Sequence, residues 1–576
     1  MSRTQGDPVT RELIKNALAS LVDEMAYTII QTAHSEIVKD VMDFSTACCD
    51  AAGRMIAQGN TIAMHLGSVP EAMEALRARF GDDVGPGDVF VLNDPYEGGM
   101  HLPDVYMIKP VFAGERLAGW AIAIAHQTDM GGRVPGSNAS DSTEIYQEGL
   151  RIPPTRLYAR GVRDETLVSL LRKNVRVPAR VLGDWSAQLS ACQIGERGLL
   201  ELVERHGLDG LAGYVDELLD YSEAMLRREI ERWPDGSYEF VDYVDDDGFG
   251  EGPLPIRVTL TVDGDSLVVD YAGTAPQVRG AINSTLSFTK SCTYLSVRCI
   301  LDEDIPNNAG FFRPIEVVAP AASIVNLAEP AACAARALTG YRIVDAMFGA
   351  LAQVVPDRVP AAGEGGNTVV CISGRRAEGG EPFIVVDMLC GAWGGRCGQD
   401  GVDAVTNPSQ NLSNTPVEVL EAAHPITIER YGFVTDSCGA GRHRGGLAIE
   451  RQYRVHDDDT LLQLRSDRWR TPPWGLAGGG AGSLAANVLR RDGVERPLPG
   501  KVTMQLAGGD VVRHRMAGAG GHGDPLRRDP ARVLEDVLDE RITPAYALRE
   551  HGVVIAPDGR LDVAATTLER ARRAGA

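Results

Sequence analysis

Asn93-Asp-Pro-Tyr-Glu-Gly-Gly-Met-His101-Leu-Pro-Asp104, followed by the apolar runs Val105–Phe112 and Leu117–His126, is the stretch on which the reading of this chain turns. Its first part is dense in polar atoms and backbone-permissive residues. Gly98-Gly99 allows unusual dihedrals, and Pro95 and Pro103 stiffen the loop. The two runs are β-leaning and meet through Gly114-Glu115, which reads as a hairpin. With a two-residue turn, cross-strand partners have residue numbers summing to about 229. A regular hairpin therefore sets His126 opposite Pro103 and Ala125 opposite Asp104. That places His126 beside His101 and Asp104, although more than twenty residues separate them along the chain.

Two histidines and a carboxylate are donor types that suit a divalent metal such as zinc, manganese or iron. Taken singly, each has a plainer reading. A histidine at a strand end is commonly a hydrogen-bonded structural group, and an aspartate near a turn is commonly a cap. It is the convergence of three such residues that favours a metal site.

Outward from this stretch, composition removes several classes. The chain has 576 residues, a net charge of −22, 44% apolar residues and 64 glycines. A nucleic-acid binder needs a basic footprint. Here lysine is confined to Lys15, Lys39, Lys109, Lys173, Lys290 and Lys501, with no basic run. Neither nucleic acid nor an anionic membrane surface is an expected partner. Met1 to Asp7 is polar, with no apolar signal core, and no apolar run reaches the ~20 residues that span a bilayer. The 10 cysteines are scattered, without C-x-x-C. They read as reduced, mostly buried thiols in a cytoplasmic protein.

The periodicities predict an α+β, multidomain chain with mixed helices, antiparallel β-sheets and a β-rich C-terminal half. A first helix is expected over 8–36, with an apolar stripe Leu13, Ala17, Leu21, Met25, Ile29, and a second from Pro70 to Phe80 closed by Gly81. Phe44–Cys49 and Arg54–Gln58 read as a hairpin. The expected segments are 1–150, a metal-site domain; 151–236, helical; 237–367, α/β; 368–528, a Gly-rich β domain; and 529–576, C-terminal helices.

Other motifs are weaker. Gly518-Ala-Gly520-Gly-His-Gly523 fits G-x-G-x-x-G, but Asp524-Pro525 follows directly instead of a helix, so it reads as a Gly-rich turn. Neither a P-loop nor a G-x-S-x-G elbow occurs. No cofactor-binding residues are assigned beyond the metal donors.

Asn93-Asp-Pro95 leading to Gly99-Met-His-Leu-Pro-Asp104 resembles the most specific stretch of the hydantoinase B/oxoprolinase family. So do Asp7-Pro-Val-Thr10, Asp43-Phe-Ser45, His65-Leu-Gly-Ser68, Pro86-Gly-Asp-Val-Phe90 and Thr143-Glu-Ile-Tyr-Gln-Glu-Gly-Leu-Arg-Ile-Pro-Pro154. Late in the chain Asn414-Thr-Pro-Val-Glu418, Gly439–Gly446, Leu464-Arg-Ser-Asp467 and Pro472-Pro-Trp-Gly475 also match, and Gly520–Pro525 does so with His522 where tyrosine is usual.

The resemblance implies a B-type subunit working with an A-type subunit of acetate/sugar kinase-like fold that binds ATP-Mg and phosphorylates an amide or enol oxygen. It implies a hetero-oligomer of (AB)n type and a divalent metal, with zinc favoured and manganese the other choice. It implies metal ligands Asp43, His101, Asp104 and His126, of which Asp43 comes from the resemblance alone. The implied function is ATP-dependent hydrolysis of a small cyclic amide: a hydantoin, lactam, cyclic imide or 5-oxoproline. The alternatives are a ketone carboxylase subunit and a non-catalytic scaffold for the A-type partner. Glu144 is a candidate proton acceptor, with a salt bridge as its competing role.

Overall fold

The computed structural model describes residues 7–302, 304–377 and 380–574. The polar stretch before Asp7 lies outside the described residues. Contacts divide the chain into two compact units, each built from separate stretches. The first takes residues up to Glu239, Arg257–Ile343 and Pro408–Thr415; the second takes Phe240–Ile256, Val344–Asn407 and Pro416 onward. The class is α+β, with helices and several antiparallel sheets.

The first unit begins with the helix Pro8–Thr32, where Asp7 caps the backbone N–H groups of Val9 and Thr10 and Pro8 opens the first turn. Its buried stripe is Ile14, Leu18, Leu21, Val22, Met25 and Ile29, while Leu13 is exposed. Four-residue steps overshoot the 3.6-residue turn by about 40° each, so a strict i+4 series walks off the face. The helix ends short of residue 36 because Asp184 Oδ1 accepts the N–H groups of His34 at 2.7 Å and Ser35 at 3.1 Å. A buried tertiary carboxylate takes these two donors, and a short helix, Glu36–Lys39, restarts beyond them.

The core of this unit is a seven-stranded sheet. In chain order its strands are β1 (Phe44–Asp50), β2 (Met55–Gln58), β3 (Val89–Leu92), β4 (Asp104–Ala113), β5 (Arg116–His126), β6 (Thr155–Ala159) and β7 (Val162–Arg163). Their spatial order is β2-β1-β5-β4-β3-β6-β7. β6 and β7 fall in a stretch expected to be mainly helical. Short strands at the sheet edge carry too few residues to show a period of two, and β6 is recruited by pairing with β3.

β4 and β5 are buried along nearly their whole length because both faces are covered. Successive side chains alternate between faces. Ala121 touches the position where a Cβ on Gly195 would lie, which sets the helix Pro178–His206 against the face bearing Ala121, Ala123 and Ala125. Gly195 is needed there, since its Cβ would stand 2.7 Å from the Ala121 methyl and 2.8 Å from Met25 Sδ. Gln188 of the same helix reaches the carbonyls of Val105 and Ala123. On the opposite face, Tyr106 meets Ser68 at the start of the helix Val69–Phe80. That helix closes on Gly81 at φ 52°.

The second unit carries two antiparallel sheets. One orders its strands Pro382–Met388, Val369–Arg375, Thr460–Arg465, Lys501–Leu506; the other orders Ile426–Phe433, Ile449–Val455, Val511–Arg515, Ala486–Arg491, Val494–Leu498. Val370, Ile372, Leu462 and Leu464 from the first and Tyr453, Val455, Leu489 and Val512 from the second share one hydrophobic core. Three helices follow: Pro530–Leu538, Pro544–His551 and Val563–Ala574.

His514 lies fully buried in the second of these sheets, with Nδ1 2.6 Å from Asn487 Oδ1. Burial, aided by Arg515, pushes its pKa from 6.5 down to about 3. The folded value is therefore below the unfolded one, and the unfolded chain binds the extra proton more readily. The stabilisation is complete above about pH 6.5 and is lost as pH falls toward 3. The expected outcome is a urea midpoint that falls between pH 7.5 and pH 5, with a smaller fall in His514→Gln. Equal pH slopes for the two proteins would remove His514 as a cause.

Candidate metal centre

Three neighbouring strands bring three of the candidate ligands into one row. Asp104 pairs directly with His126 in the β4–β5 ladder. On the other side of β5, the β1 register sets Phe44 opposite Ala125, and the N–H of His126 donates to the carbonyl of Asp43 at 3.0 Å. Asp43, His126 and Asp104 thus stand side by side, at one end of the sheet, on the face opposite the helix Pro178–His206. Directly opposed residues have Cβ atoms about 4.5–5.5 Å apart.

The register differs by one residue from a regular hairpin. Partner numbers sum to 229 at Phe112↔Leu117 and to 230 from Val111↔Gly119 onward, because a bulge lies between Val111 and Phe112. The extra residue is Ala118. The consequence is large, since a one-residue slip exchanges the two faces of a strand. The unbulged register pairs His126 with Pro103 and sends Asp104 to the other face. The bulge aims Asp104 and His126 the same way.

His101 comes from the loop before β4. Gly98 takes φ 95°, and a Cβ on Gly99 would stand 2.4 Å from the Asn93 carbonyl oxygen, so the double glycine is a geometric requirement. Asn93 ties the loop down by donating to the carbonyls of Leu102 at 2.7 Å and Leu150 at 3.0 Å and accepting from Ile152 N–H. The loop's Asp94 is held by Arg151. His101 Nδ1 lies 3.2 Å from the carbonyl of Ala334 and Nε2 lies 3.1 Å from Asp104 Oδ1. A carbonyl only accepts, so Nδ1 carries a proton and Nε2 is turned to the site. The His101 and His126 rings are 5.2 Å apart.

A fifth residue, His65, joins them, one that the sequence reading does not assign. It sits on the short helix Ala63–Leu66, with Nε2 at 3.7 Å from Asp43 Oδ1 and 3.6 Å from Asp104 Oδ2. The signal for it in the sequence is its place in His65-Leu-Gly-Ser68, one of the motifs shared with the resembled family. The donor atoms of His101, Asp104 and His126 lie within 4.8 Å of one another, as do those of Asp43, His65 and Asp104. Asp104 belongs to both groups, and every member is buried. Asp43 is therefore gathered with His65 and Asp104 rather than in one group with both His101 and His126.

The donors fit a cation on a test internal to the protein. Ser45 Oγ donates to the Ile62 carbonyl at 3.1 Å, so it can only accept from His65 Nδ1, also 3.1 Å away. This leaves Nε2 with a lone pair facing two carboxylate oxygens. Burial pushes His65 down to about 4, Asp104 opposing and Arg336 assisting, so a proton is not what fills that gap near neutral pH. A metal ion meets the need of all three acceptors. Burial works to raise the Asp104 carboxyl, but His101, Arg336 and His65 outweigh it and hold the group well below the usual carboxylate range. Arg336, stacked 4.5 Å over the Phe288 ring, reaches Asp104 Oδ2 at 2.5 Å.

Glu144 is brought to neither group. It is exposed, at the start of a single turn Ile145–Gln147. The buried carboxyl of that segment is Glu148, which burial pushes up to about 8 against the backbone N–H groups of Ala334 and Cys333. Eight of the ten cysteines are buried and none of the ten forms a disulfide; Cys48 is pushed up to about 12 by burial, the opposite of an activated thiol. The G-x-G-x-x-G stretch is committed elsewhere: the N–H groups of Gly518, Ala519, Gly520, Gly521, His522 and Gly523 all donate to backbone carbonyls. None of them is left to cradle a pyrophosphate.

Fold and site together define an α+β protein with a buried cluster of His and Asp side chains at the ends of three adjacent strands. The chain belongs to the hydantoinase B/oxoprolinase family, whose profile matches residues 7–525. It is 34% identical to the B-type chain of a putative D-/L-hydantoinase of a Pseudomonas species over 96% of both chains. It is also 34% identical to the beta chain of the caprolactamase of Pseudomonas jessenii, over 98% of this chain and 99% of that one. The crystal structure of the ATP-dependent caprolactamase from Pseudomonas jessenii superposes with a TM-score of 0.92 at 33% identity, covering 99% of this chain and 100% of the other. An acetone carboxylase structure has the same fold, with a TM-score of 0.92 at 19% identity over 99% of this chain and 83% of that one.

Proposed function

We propose that this chain is the metal-carrying subunit of an ATP-dependent cyclic amide hydrolase that opens a hydantoin, lactam, cyclic imide or 5-oxoproline ring. The observation that carries the reading is the row Asp43–His126–Asp104 with His101 and His65 closing on it. Full-length similarity to chains named as the B component of a hydantoinase and the beta component of a caprolactamase supports it. Those names also support a partner subunit, which we take to be of A type, binding ATP-Mg in an (AB)n complex. The sequence has no P-loop of its own, consistent with that division.

Amide resonance makes a ring carbonyl a poor electrophile, and phosphorylation of its oxygen by the partner would turn it into a reactive imidate. Asp43, His101, Asp104 and His126 would hold a divalent ion, with His65 as a further donor. Such an ion supplies Lewis-acid polarisation and lowers the pKa of water from about 15.7 to about 7. Asp43 and Asp104 provide the negative charge that holds it, while Arg336 offsets part of Asp104's charge. Ala334 and Ser45 fix the ring orientations of His101 and His65 through their Nδ1 positions. The site is buried, which strengthens each of these interactions. Mixed histidine and carboxylate donors accommodate zinc and manganese, and zinc is the first choice.

The test is co-expression with an A-type partner. ATP consumption is measured against hydantoins, lactams, 5-oxoproline and ketones, with and without bicarbonate, alongside elemental analysis. Ring opening that needs ATP and both subunits is expected. Bicarbonate-dependent consumption of a ketone would instead make the chain a carboxylase subunit. Full turnover in a His101→Ala complex would reduce it to a scaffold.

A further inference from the structure

Residues 331–336 run as a strap beside the metal centre and lead into the helix Ala337–Leu351. Two side chains of the centre are aimed by this one strap. The carbonyl of Ala334 meets His101 Nδ1 at 3.2 Å, and the guanidinium of Arg336 meets Asp104 Oδ2 at 2.5 Å. The strap is tied at several points. Tyr96 donates to the carbonyl of Ala331 at 2.6 Å, Asn283 to that of Ala332 at 3.0 Å, and the N–H of Ala335 to the carbonyl of Ala281 at 2.8 Å. Between these, a single carboxyl oxygen, Glu148 Oε1, accepts both the N–H of Cys333 at 2.9 Å and that of Ala334 at 2.8 Å.

A glutamate in this position needs an explanation. Glu148 is 2% exposed, and burying a carboxyl is costly unless its hydrogen bonds repay it. It has no arginine or lysine partner among the described ion pairs; its bonds go to two backbone N–H groups, with the Cys333 thiol 3.8 Å from Oε2. A buried acid spent on two peptide groups is spent on where those peptides sit. Here they immediately precede the carbonyl that orients His101, three and two residues before the arginine that orients Asp104.

We propose that Glu148 is a positioning residue of the metal centre, acting through the strap 333–336 on His101 and Asp104 together. Among the described hydrogen bonds and ion pairs, none joins it to either ligand. Its oxygen fixes the path of the strap, and the strap fixes the ring plane of one ligand and the carboxylate rotation of the other. The proposal rests on the reading of these residues as metal ligands but not on the substrate or reaction. Groups that orient ligands in this way contribute about 10–100-fold to metal affinity.

The test uses the full-length purified chain with Co²⁺ as the probe, read by competition affinity and by the visible absorption of the bound ion. Glu148→Ala is expected to weaken Co²⁺ binding about 10-fold or more and to change the absorption envelope. Glu148→Gln, which keeps a carbonyl oxygen for the two N–H groups, is expected to stay within about 3-fold of the parent. Glu148→Asp withdraws that oxygen by one methylene and is expected to fall between them; it stands in for alanine should that variant fail to fold. A folded Glu148→Ala, or Glu148→Asp in its place, with parental affinity and spectrum overturns the proposal. So does Glu148→Gln as weak as Glu148→Ala, because charge rather than the shared acceptor would then be at work. Co²⁺ binding by the parent that is insensitive to His101→Ala would instead strike at the metal reading itself.

Discussion

On the proposed function, Asp104→Ala is expected to abolish metal binding and ATP-dependent turnover and to cost a measurable part of the stability. Asp104 is the one residue common to both groups of converging donors, and it is completely buried. Oriented partners of ligands contribute about 10–100-fold to affinity, so removal of a shared direct donor should exceed about 100-fold. The second consequence comes from Arg336. Its guanidinium, 3% exposed, loses the carboxylate it neutralises. Removing one member of a buried ion pair costs about 3–5 kcal/mol, because the other charge stays behind in a low-dielectric interior. Elemental analysis and a urea melt on the same preparation check both effects. Parental zinc or manganese content in Asp104→Ala would refute the assignment of the centre, whatever its activity.

The other large effect is expected in the second unit. Arg468→Met should destabilise that unit by at least about 3–5 kcal/mol. Arg468 is fully buried and stands between Asp242, at 3.0 Å, and Asp345, at 2.6 Å, both almost fully buried themselves. Its loss removes the guanidinium that the two carboxylates share. Methionine matches the stem but supplies no donors. Tryptophan fluorescence is a suitable readout, since Trp474 Nε1 donates to Asp242 at 3.2 Å and Trp469 Nε1 to Asp246 at 3.0 Å. Arg513→Ala serves as the contrast: its pair with Glu495 is half exposed and should be worth under about 1 kcal/mol. Equal losses for the two variants would mean that burial is not what gives the Arg468 pairs their weight.

Much of the site is legible in the amino-acid sequence. Donor chemistry singles out His101 and Asp104 in a loop stiffened by proline and opened by glycine, and hairpin arithmetic brings His126 to them. Asp43 enters through family resemblance, since nothing local marks an aspartate preceding a strand as a ligand. His65 goes unmarked for a similar reason: a histidine on a four-residue helix has no periodicity to read. Glu144 and Glu148 are equivalent as text, because four residues along an irregular segment carry no information about which carboxyl turns inward.

The legible features are local ones: element types, a cap such as Gly81, the β-rich second half, and the residue types that could bind a cation. Each follows from interactions within a few residues, where spacing and chemistry are both visible. The direction in which those residues face belongs to the folded chain. The bulge at Ala118 shifts the β4–β5 register by one and so sets Asp104 and His126 on the same side of the sheet. The carboxylate of Asp184 stops the first helix before Glu36. The pairing of β1 with β5 carries Asp43 into the row. The last two depend on contacts between residues distant in the chain, and the bulge on a ladder register; the geometry of all three is settled by packing and by hydrogen bonds that no local pattern records.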